Sequence, residues 1–371
     1  VRLAVILVHY HTPALAAAAV AALRAGVPAP GDAGDAGDAG DAGDIEWVLV
    51  DNGSDDAGRA LLASLPVERI DPGRNLGYAG GVNLGVARTT AEAILILNPD
   101  VLVLPGCVPA LLERLEAGTA VAGPCFFWDR GRRMLLPPAE PRGRRAEIAA
   151  VLAARGGRGA ERARRRWRRQ ARRHWEARQP LASHSLSGSL LAVRRDAWQR
   201  VGPFDEGFPL FFEETDWLLR ARRLGLRSEY VPAAEAIHLH AQSSALEPRS
   251  QAWFEESARR FRRLHYGEDF AERIEALARE TAAAPDALPE LDGPLDLAGF
   301  SFPLWVEVSP NPSGYPAAAE RLAAPPAGGW RLPEEVERRL PPGRLTLQVS
   351  NAEGAEIARY SLRAGLRVGA A

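Results

Sequence analysis

The 371-residue sequence contains no lysine; all 46 of its basic residues are arginine. No lysine Schiff base and no P-loop lysine can therefore operate in it. Abundant Ala, Gly, Pro and Arg accompany this bias, which reads as codon usage rather than chemistry. Cysteine is nearly absent as well. Cys107 and Cys125 stand far apart and outside C-x-x-C spacing. That excludes a disulfide framework and a cysteine zinc site, and fits two buried free thiols in a reducing compartment. No run approaches the ~20 apolar residues that span a bilayer. Leu3 to Val8 is only strand-length and lacks the basic stretch that opens a signal peptide, so a cytoplasmic protein is expected. The net charge of −1 provides no overall attraction to nucleic acid. With 46% hydrophobic and 25% charged residues the composition is that of an ordinary soluble protein, long enough for two domains or one with an appendage.

Apolar runs at Leu3 to Val8, Ile45 to Val50, Val67 to Ile70, Ala93 to Leu97 and Ala120 to Ala122 read as buried strands. Pro13 to Ala25, Asp56 to Leu65 and Gly80 to Arg88 read as the helices between them. This alternation predicts an α/β fold, a Rossmann-like, mostly parallel sheet with flanking helices. In such sheets ligands sit beyond the carboxyl ends of the strands. Polar clusters fall at those ends: His9-Tyr10-His11-Thr12, Asp51-Asn52-Gly53-Ser54 and Asn98-Pro99-Asp100. One cluster is ordinary loop chemistry, whereas three on one sheet edge point to a site.

Two segments break the pattern. Gly31 to Asp44 repeats Gly-Asp-Ala without apolar anchors and reads as a disordered, solvated loop; it lacks the spacing and closing Glu of a calcium loop. Asp129 to Pro180 is an arginine-rich insert. Within it Ala163, Trp167, Ala171 and Trp175 recur at helical spacing, predicting a basic amphipathic helix over 159–178. Its Trp stripe either packs on the main domain or meets an anionic membrane surface or lipid-linked phosphate. No nucleic-acid-binding motif accompanies the charge. Beyond Gly267, Glu268 to Ala284 reads as a helix and Pro285 to Pro303 as a proline-punctuated linker. Leu304 to Val308, Leu345 to Val349 and Ile357 to Leu362, with a turn at Asn351 to Gly354, predict a small β-rich module. The expected domains are 1–267, a helix and linker over 268–303, and the module over 304–371.

Asp51 ends a buried strand, where its carboxylate can accept from a base N–H or ribose hydroxyls. Asp55 and Ser54 are better read as turn and cap residues. The loop Arg74 to Asn83 is glycine-rich and enters a helix, so its N–H groups can face a phosphate. The position after the first strand, where a dinucleotide-binding fold carries its glycines, holds none, which excludes that reading. Asp100, after an aliphatic strand, can hold a hard divalent cation that bridges diphosphate oxygens. Glu213, Glu214 and Asp216 crowd three carboxylates into four residues at a helix start. Their repulsion raises at least one pKa, which suits a base for an attacking hydroxyl, although such a cluster can also simply decorate a first turn. His238 and His240 alternate on one strand face, compatible with a metal ligand, a phosphate donor or a structural pair.

Taken in order, VHYHTP from Val8, VDNGSDD from Val50, RNLGYAGGVNLG from Arg74 and ILNPDV from Ile96 resemble family 2 glycosyltransferases of the GT-A fold. The stretch from Ser187 through GFPLFFEETDWLL, IHLHAQSS from Ile237 and FRRLHYG from Phe261 extend the resemblance over Val1 to Gly267 and narrow it to the rhamnosyltransferase-like branch. The resemblance implies an inverting displacement that moves a sugar from a nucleotide-diphosphate donor to a glycan or lipid-linked acceptor, with Mg²⁺ or Mn²⁺. Such work belongs to cell-surface polysaccharide synthesis, in the cytoplasm or at the inner face of the membrane. His9, Thr12, Asp51, Asn52, Asn75, Gly77, Asn83, Asn98 and Gly188 become donor-binding residues, and Asp100 with His240 the metal ligands. Glu214 becomes the base, supported by Glu213 and Asp216. Two departures stand out. Asn98 replaces the first acid of the family's D-x-D-like motif, and Glu214 replaces the usual Asp with a side chain one methylene longer. Misplacement of a catalytic group by about 1 Å can lower rates by ~10²-fold. The competing reading is therefore a nucleotide-sugar-binding protein without turnover.

Overall fold

The computed structural model describes residues 2–26, 45–153, 156–239, 249–279 and 287–365. The Gly-Asp-Ala tract and His240 lie outside the described residues. The chain begins β1 (Leu3–His9), α1 (Pro13–Gly26), β2 (Glu46–Asp51), α2 (Asp56–Ala63), β3 (Glu68–Ile70), α3 (Gly77–Ala87), β4 (Ala93–Leu97) and β5 (Val101–Val103). It continues with α4 (Cys107–Glu116), β6 (Val121–Phe127), α5 (Arg144–Ala153), α6 (Gly157–Trp175), β7 (Leu181–Ala182), β8 (Leu190–Arg194), α7 (Arg195–Val201) and α8 (Glu213–Arg223). Then come β9 (Ser228–His238), α9 (Ser250–Tyr266), α10 (Glu268–Arg279), β10 (Glu290–Leu291), β11 (Leu304–Ser309), β12 (Ala318–Leu322), α11 (Glu334–Glu337), β13 (Gly343–Asn351) and β14 (Glu356–Ala364).

Two compact units emerge. The first comprises Val1–Phe126, Ala139–Arg142 and Ala177–Ala271; the second comprises Phe127–Pro138, Gly143–Glu176 and Glu272–Ala371. The arginine-rich helix thus groups with the C-terminal sheet, whereas the sequence reading counted it within 1–267.

The α/β class is observed in the first unit, whose sheet runs β3-β2-β1-β4-β8-β6-β9-β5, with β7 beside β9. β3, β2, β1 and β4 are mutually parallel, and β8 adds antiparallel to β4. Every residue of β1 and β4 is buried, because helices cover both faces and leave no position for a polar side chain. Successive β1 side chains point to opposite faces. Leu3, Val5 and Leu7 join Ala16, Ala19, Val20 and Leu23 of α1 in one core cluster. Ile6 and Val8 meet α3, whose Gly81 and Gly85 lie so close that a Cβ would come within 2.6 Å of Val8 Cγ1 and 2.5 Å of Ile6 Cγ2 respectively. Those two glycines serve close helix–strand packing rather than a phosphate cradle.

In the second unit, five strands are ordered β10-β14-β13-β11-β12. β12, absent from the sequence reading, has Glu320 between its buried alanines and Leu322, which blurs its hydrophobic signature. Leu304, Val306, Val308, Leu345, Leu347 and Val349 build an apolar core with Trp128, Met134 and Trp330. The alternate positions Glu307, Ser309, Thr346, Gln348 and Ser350 are buried and polar, and α6 supplies partners to Glu307, Gln348 and Ser350. Arg168 Nε lies 2.7 Å from Glu307 Oε1, and its Nη2 donates to Gln348 Oε1 at 3.2 Å. Arg172 Nη2 donates to Ser350 Oγ at 2.8 Å. The inner face of α6 therefore holds Arg164, Arg168 and Arg172 beside Trp167 and Ala171. The predicted apolar stripe describes only half of it.

Candidate active site

The topology collects chemistry at one sheet edge. β1, β2 and β4 deliver His9, Asp51 and Asn98 at their carboxyl ends. β8 runs the other way, so its preceding residues arrive at the same edge, with Asn98 N–H donating to Ser189 O at 2.9 Å. β5 registers Val101 against His238 at the end of β9. The result is a cleft of about 730 Å³. Of the residues named from sequence, His9, Asn52, Asn75, Gly77, Asn98, Asp100, Gly188, Glu213 and Glu214 line it.

Thr12, Asp51, Asn83 and Asp216 are not among its lining residues. Thr12 N–H donates to His9 Nδ1 at 3.0 Å, which leaves the proton on Nε2 to donate to Ser54 Oγ at 2.7 Å. Burial holds the His9 imidazole below its ordinary pKa, so it is a neutral strut. Asp51 Oδ1 accepts from the N–H groups of Ser54 at 2.8 Å and Gly53 at 3.2 Å, while Oδ2 lies 3.3 Å from Arg69. Burial pushes its carboxyl up, but the hydrogen bonds from Ser54 and Gly53 outweigh it and the group titrates below the usual value. Asp51 makes an Asx-turn of its own, and Asp55 caps α2 as expected, its Oδ1 accepting from Gly58 N–H at 2.8 Å. Asn83 exchanges hydrogen bonds with the Phe204 backbone at 2.9 and 3.0 Å and fixes Glu206 at 2.9 Å.

The acid pair sits at the start of α8. Phe211 and Phe212, immediately before it, both have left-handed backbones, with φ of 68° and 70°. Such conformations cost bulky residues on the order of 1–3 kcal/mol each and persist only when the surroundings impose them. Glu213 is 3% exposed, and its Oε2 is buried without a hydrogen-bond partner. Burial, then the neighbouring Glu214, push its carboxyl up to about 8. Burial also raises Glu214. Two neighbouring carboxyls in such surroundings resist ionising together. Gly188 is the contact surface of Glu214: a Cβ there would lie 2.9 Å from Glu214 Cγ. Tyr78 O–H donates to Gly188 O at 3.0 Å and fixes that floor.

Asp216 turns away toward α9. His265 Nε2 lies 2.7 Å from its Oδ1, and Arg220 Nε donates to its Oδ2 at 2.8 Å. Burial pushes the carboxyl up, and His265 and Arg220 together bring it below the ordinary value.

Asp100 and Asn98 form the other polar centre. Asp100 is 3% exposed, His238 Nε2 stands 3.4 Å from its Oδ1, and Asn98 Oδ1 is buried with no hydrogen-bond partner. Among the described residues no group of three or more His, Cys, Asp or Glu is arranged to hold a metal. One carboxylate beside an orphaned amide oxygen suits a hard cation that keeps open positions for water and phosphate oxygens. Tyr78 and His238 also line the cleft. Another stretch of the lining comes from residues with no recognisable sequence signal, Glu206, Phe208, Pro209, Leu210 and Phe211, with Arg249 and Trp253. These are turn and helix-end residues without a spacing signature, so only their proximity to the FFEE run hinted at them.

The profile of the family described as "Glycosyl transferase family 2" matches residues 5–201, more than half of the chain. The chain belongs to that family and is a glycosyltransferase. The matched span contains Asn98 and Asp100 and ends before Glu213. The chain is 32% identical over 218 residues to the N-acetylglucosaminyl-diphospho-decaprenol L-rhamnosyltransferase of Mycobacterium tuberculosis, covering 55% of this chain and 69% of that protein. Identity to the low-salt glycan biosynthesis hexosyltransferase Agl10 of Haloferax volcanii is 24% over 204 residues, covering 52% of this chain and 58% of that one. The mannosyltransferase PcManGT from Pyrobaculum calidifontis, solved with GDP-Man and Mn²⁺, aligns over 76% of both chains at 14% identity and a TM-score of 0.43. At that score the likeness carries no inference about individual residues.

Proposed function

We propose that this chain transfers a sugar, with inversion, from a nucleoside-diphosphate donor to a hydroxyl of a lipid-linked or glycan acceptor. The observation that carries the proposal is the Glu213–Glu214 pair, Glu213 buried and Glu214 half-buried, lining the same cleft as Asn98 and Asp100. Burial raises both carboxyls, and Glu214, whose Oε1 accepts from Thr215 Oγ1 at 3.2 Å, is taken as the base. As the acceptor oxygen bonds to the anomeric carbon, its proton passes to the Glu214 carboxylate. The bond from that carbon to the diphosphate oxygen breaks, and the nucleoside diphosphate leaves with the electron pair. A base with a raised pKa is well matched to this task near neutral pH. Asp100 and Asn98 would hold a divalent cation, with His238 alongside, and that cation would neutralise charge on the departing diphosphate. His240, outside the described residues, remains a further ligand candidate. Asn52, Asn75 and the backbone at Gly77 face the nucleotide side, and His9, Asp51 and Thr12 support them from beneath.

The mycobacterial relative's name specifies an L-rhamnosyl donor group and an N-acetylglucosaminyl-diphospho-decaprenol acceptor. We carry over the class alone: a hexosyl or deoxyhexosyl donor and a lipid-linked diphosphate sugar, as in cell-surface polysaccharide synthesis. Mn²⁺-dependent release of nucleoside diphosphate from a donor panel, lost in Glu214→Gln and Asp100→Ala, is the expected result. Tight donor binding with no turnover across donors and acceptors would favour the non-catalytic binding protein.

A peripheral position on the inner membrane face is also proposed. Arg158, Arg162, Arg165, Arg166, Arg169 and Arg173 are exposed on the outer side of α6, with Glu161 pairing Arg165 at 2.6 Å. Both Trp side chains of this helix pack within the second unit, so contact is electrostatic, about 1 kcal/mol per arginine near an anionic surface. No helix of the described residues is long and apolar enough to cross a membrane. Flotation with phosphatidylglycerol vesicles that is abolished by salt supports this position; equal behaviour on phosphatidylcholine vesicles removes it.

A further inference from the structure

We propose that α9 is a clamp that aims the acid pair, and that His265 on it is a positioning residue for sugar transfer. This rests on the glycosyltransferase reading of the cleft. Residues 206 to 214 supply one wall, Glu213 and Glu214 included, yet this wall contains the two consecutive left-handed residues Phe211 and Phe212. Such a backbone does not hold itself. Three polar ties from one helix secure it. Arg260 Nη2 bonds Asp205 Oδ2 at 2.7 Å, Ser257 Oγ donates to Leu210 O at 2.7 Å, and His265 Nε2 lies 2.7 Å from Asp216 Oδ1. Two fall before the strained pair, the second on the residue adjoining it, and one falls after.

Aromatic contacts fill the space between the ties. Phe254 stands 5.7 Å from Phe211 and 5.4 Å from Phe212 between ring centroids, and the fully buried Phe261 stands 5.5 Å from Phe212. Phe261 also packs against His265, the rings tilted by 54° with centroids 4.7 Å apart. A Cβ on Gly207 would meet the Arg260 guanidinium carbon at 2.3 Å, so the loop is bare where that arginine crosses it.

The His265 tie is directional. Arg223 Nη1 lies 2.9 Å from His265 Nδ1. An arginine can only donate, so Nδ1 is an acceptor and the ring proton sits on Nε2, donating to Asp216. Asp216 belongs to the same first turn of α8 as Glu213 and Glu214. The tie therefore sets the rotation of that turn, and with it the direction of both carboxyls, without touching substrate. This gives Asp216 and the FRRLHYG stretch a role that the transfer chemistry leaves unassigned.

The test compares full-length wild type with His265→Phe, which keeps a ring against Phe261 but lacks the donor, and His265→Gln, which returns an N–H near the Nε2 position. Ser257→Ala is the milder second variant. Turnover is measured with dTDP-L-rhamnose and UDP-glucose, each with Mn²⁺, and amide hydrogen exchange is followed across residues 205 to 216. In His265→Phe, kcat should fall about 10- to 100-fold while donor KM stays within about twofold, because the nucleotide wall comes from the strand ends. His265→Gln should recover most of the loss, and exchange should accelerate in 205–216 but not in β1 or β4. Unchanged kcat, or kcat lost together with donor KM and with exchange raised throughout, overturns the clamp. Should wild type turn over neither donor nor any other tried, the glycosyltransferase reading falls, and the exchange pattern alone decides the clamp.

Discussion

His238 Nε2 lies 3.4 Å from Asp100 Oδ1, a pairing made by two strands far apart in sequence that meet in antiparallel register at Val101 and His238. The imidazole is thus a neighbour of the acid assigned to the metal. Replacing Asp100 by Ala should abolish stabilisation by Mn²⁺ plus nucleoside diphosphate in thermal unfolding. His238→Ala should weaken metal activation about 10- to 100-fold, the usual effect of losing a partner that orients a ligand. Full metal response in Asp100→Ala would move the cation elsewhere.

The Glu213 carboxyl is pushed up to about 8, by burial first and by Glu214 second. Between its unfolded value near 4.5 and that figure, the folded state binds more protons than the unfolded state. Stability therefore falls as pH rises through that window and levels off above it. Glu213→Gln removes this loss. Its melting temperature should exceed that of wild type at pH 9, with the gap narrowing toward pH 4. A constant gap across that range would mean that Glu213 does not titrate as described.

Arg168 and Glu307 form a buried ion pair, at 1% and 0% exposure. Arg168→Ala leaves Glu307 charged and buried, and should cost about 3–5 kcal/mol in urea unfolding. Changing both partners, as Arg168→Met with Glu307→Leu, should restore most of that loss. Were the double variant as unstable as the single, the helix would be held chiefly by its Trp contacts.

Gly81 and Gly85 sit against Val8 and Ile6 of the central strand. Gly85→Ala should destabilise the first unit by about 1–3 kcal/mol through overpacking. At saturating donor, kcat of the folded fraction should be retained, since Gly85 is absent from the cleft lining. A variant of wild-type stability would show that α3 can retreat.

Much of the first unit was legible beforehand because a strand covered on both faces must be aliphatic throughout. β1 and β4 announce themselves in that way, and the polar residues after them mark the ligand edge. Glu213 and Glu214 were legible from charge density alone. Asp216 was grouped with them because spacing along a helix start does not say which way each side chain points. Its partner His265 lies 49 residues away. From sequence alone Arg164, Arg168 and Arg172 of α6 read as solvent-facing, because a charged residue is normally exposed. Their burial depends on a polar sheet face built from β11 and β13, which pairwise alternation hides when both faces are buried.

The sequence by itself determined the class of fold, the family, the edge at which the cleft opens and the presence of Asp100 and the acid pair there. Each follows from local rules: periodicity of burial, loop position after a strand, and motif order. Tertiary structure decided which residues face the cleft and which hold it. It left Asp51, Asn83 and Asp216 outside the cleft lining, brought His238 to Asp100, and built the aromatic wall around two left-handed phenylalanines. Those outcomes arise from contacts between segments distant along the chain, where packing and hydrogen-bond geometry override what any single stretch prefers.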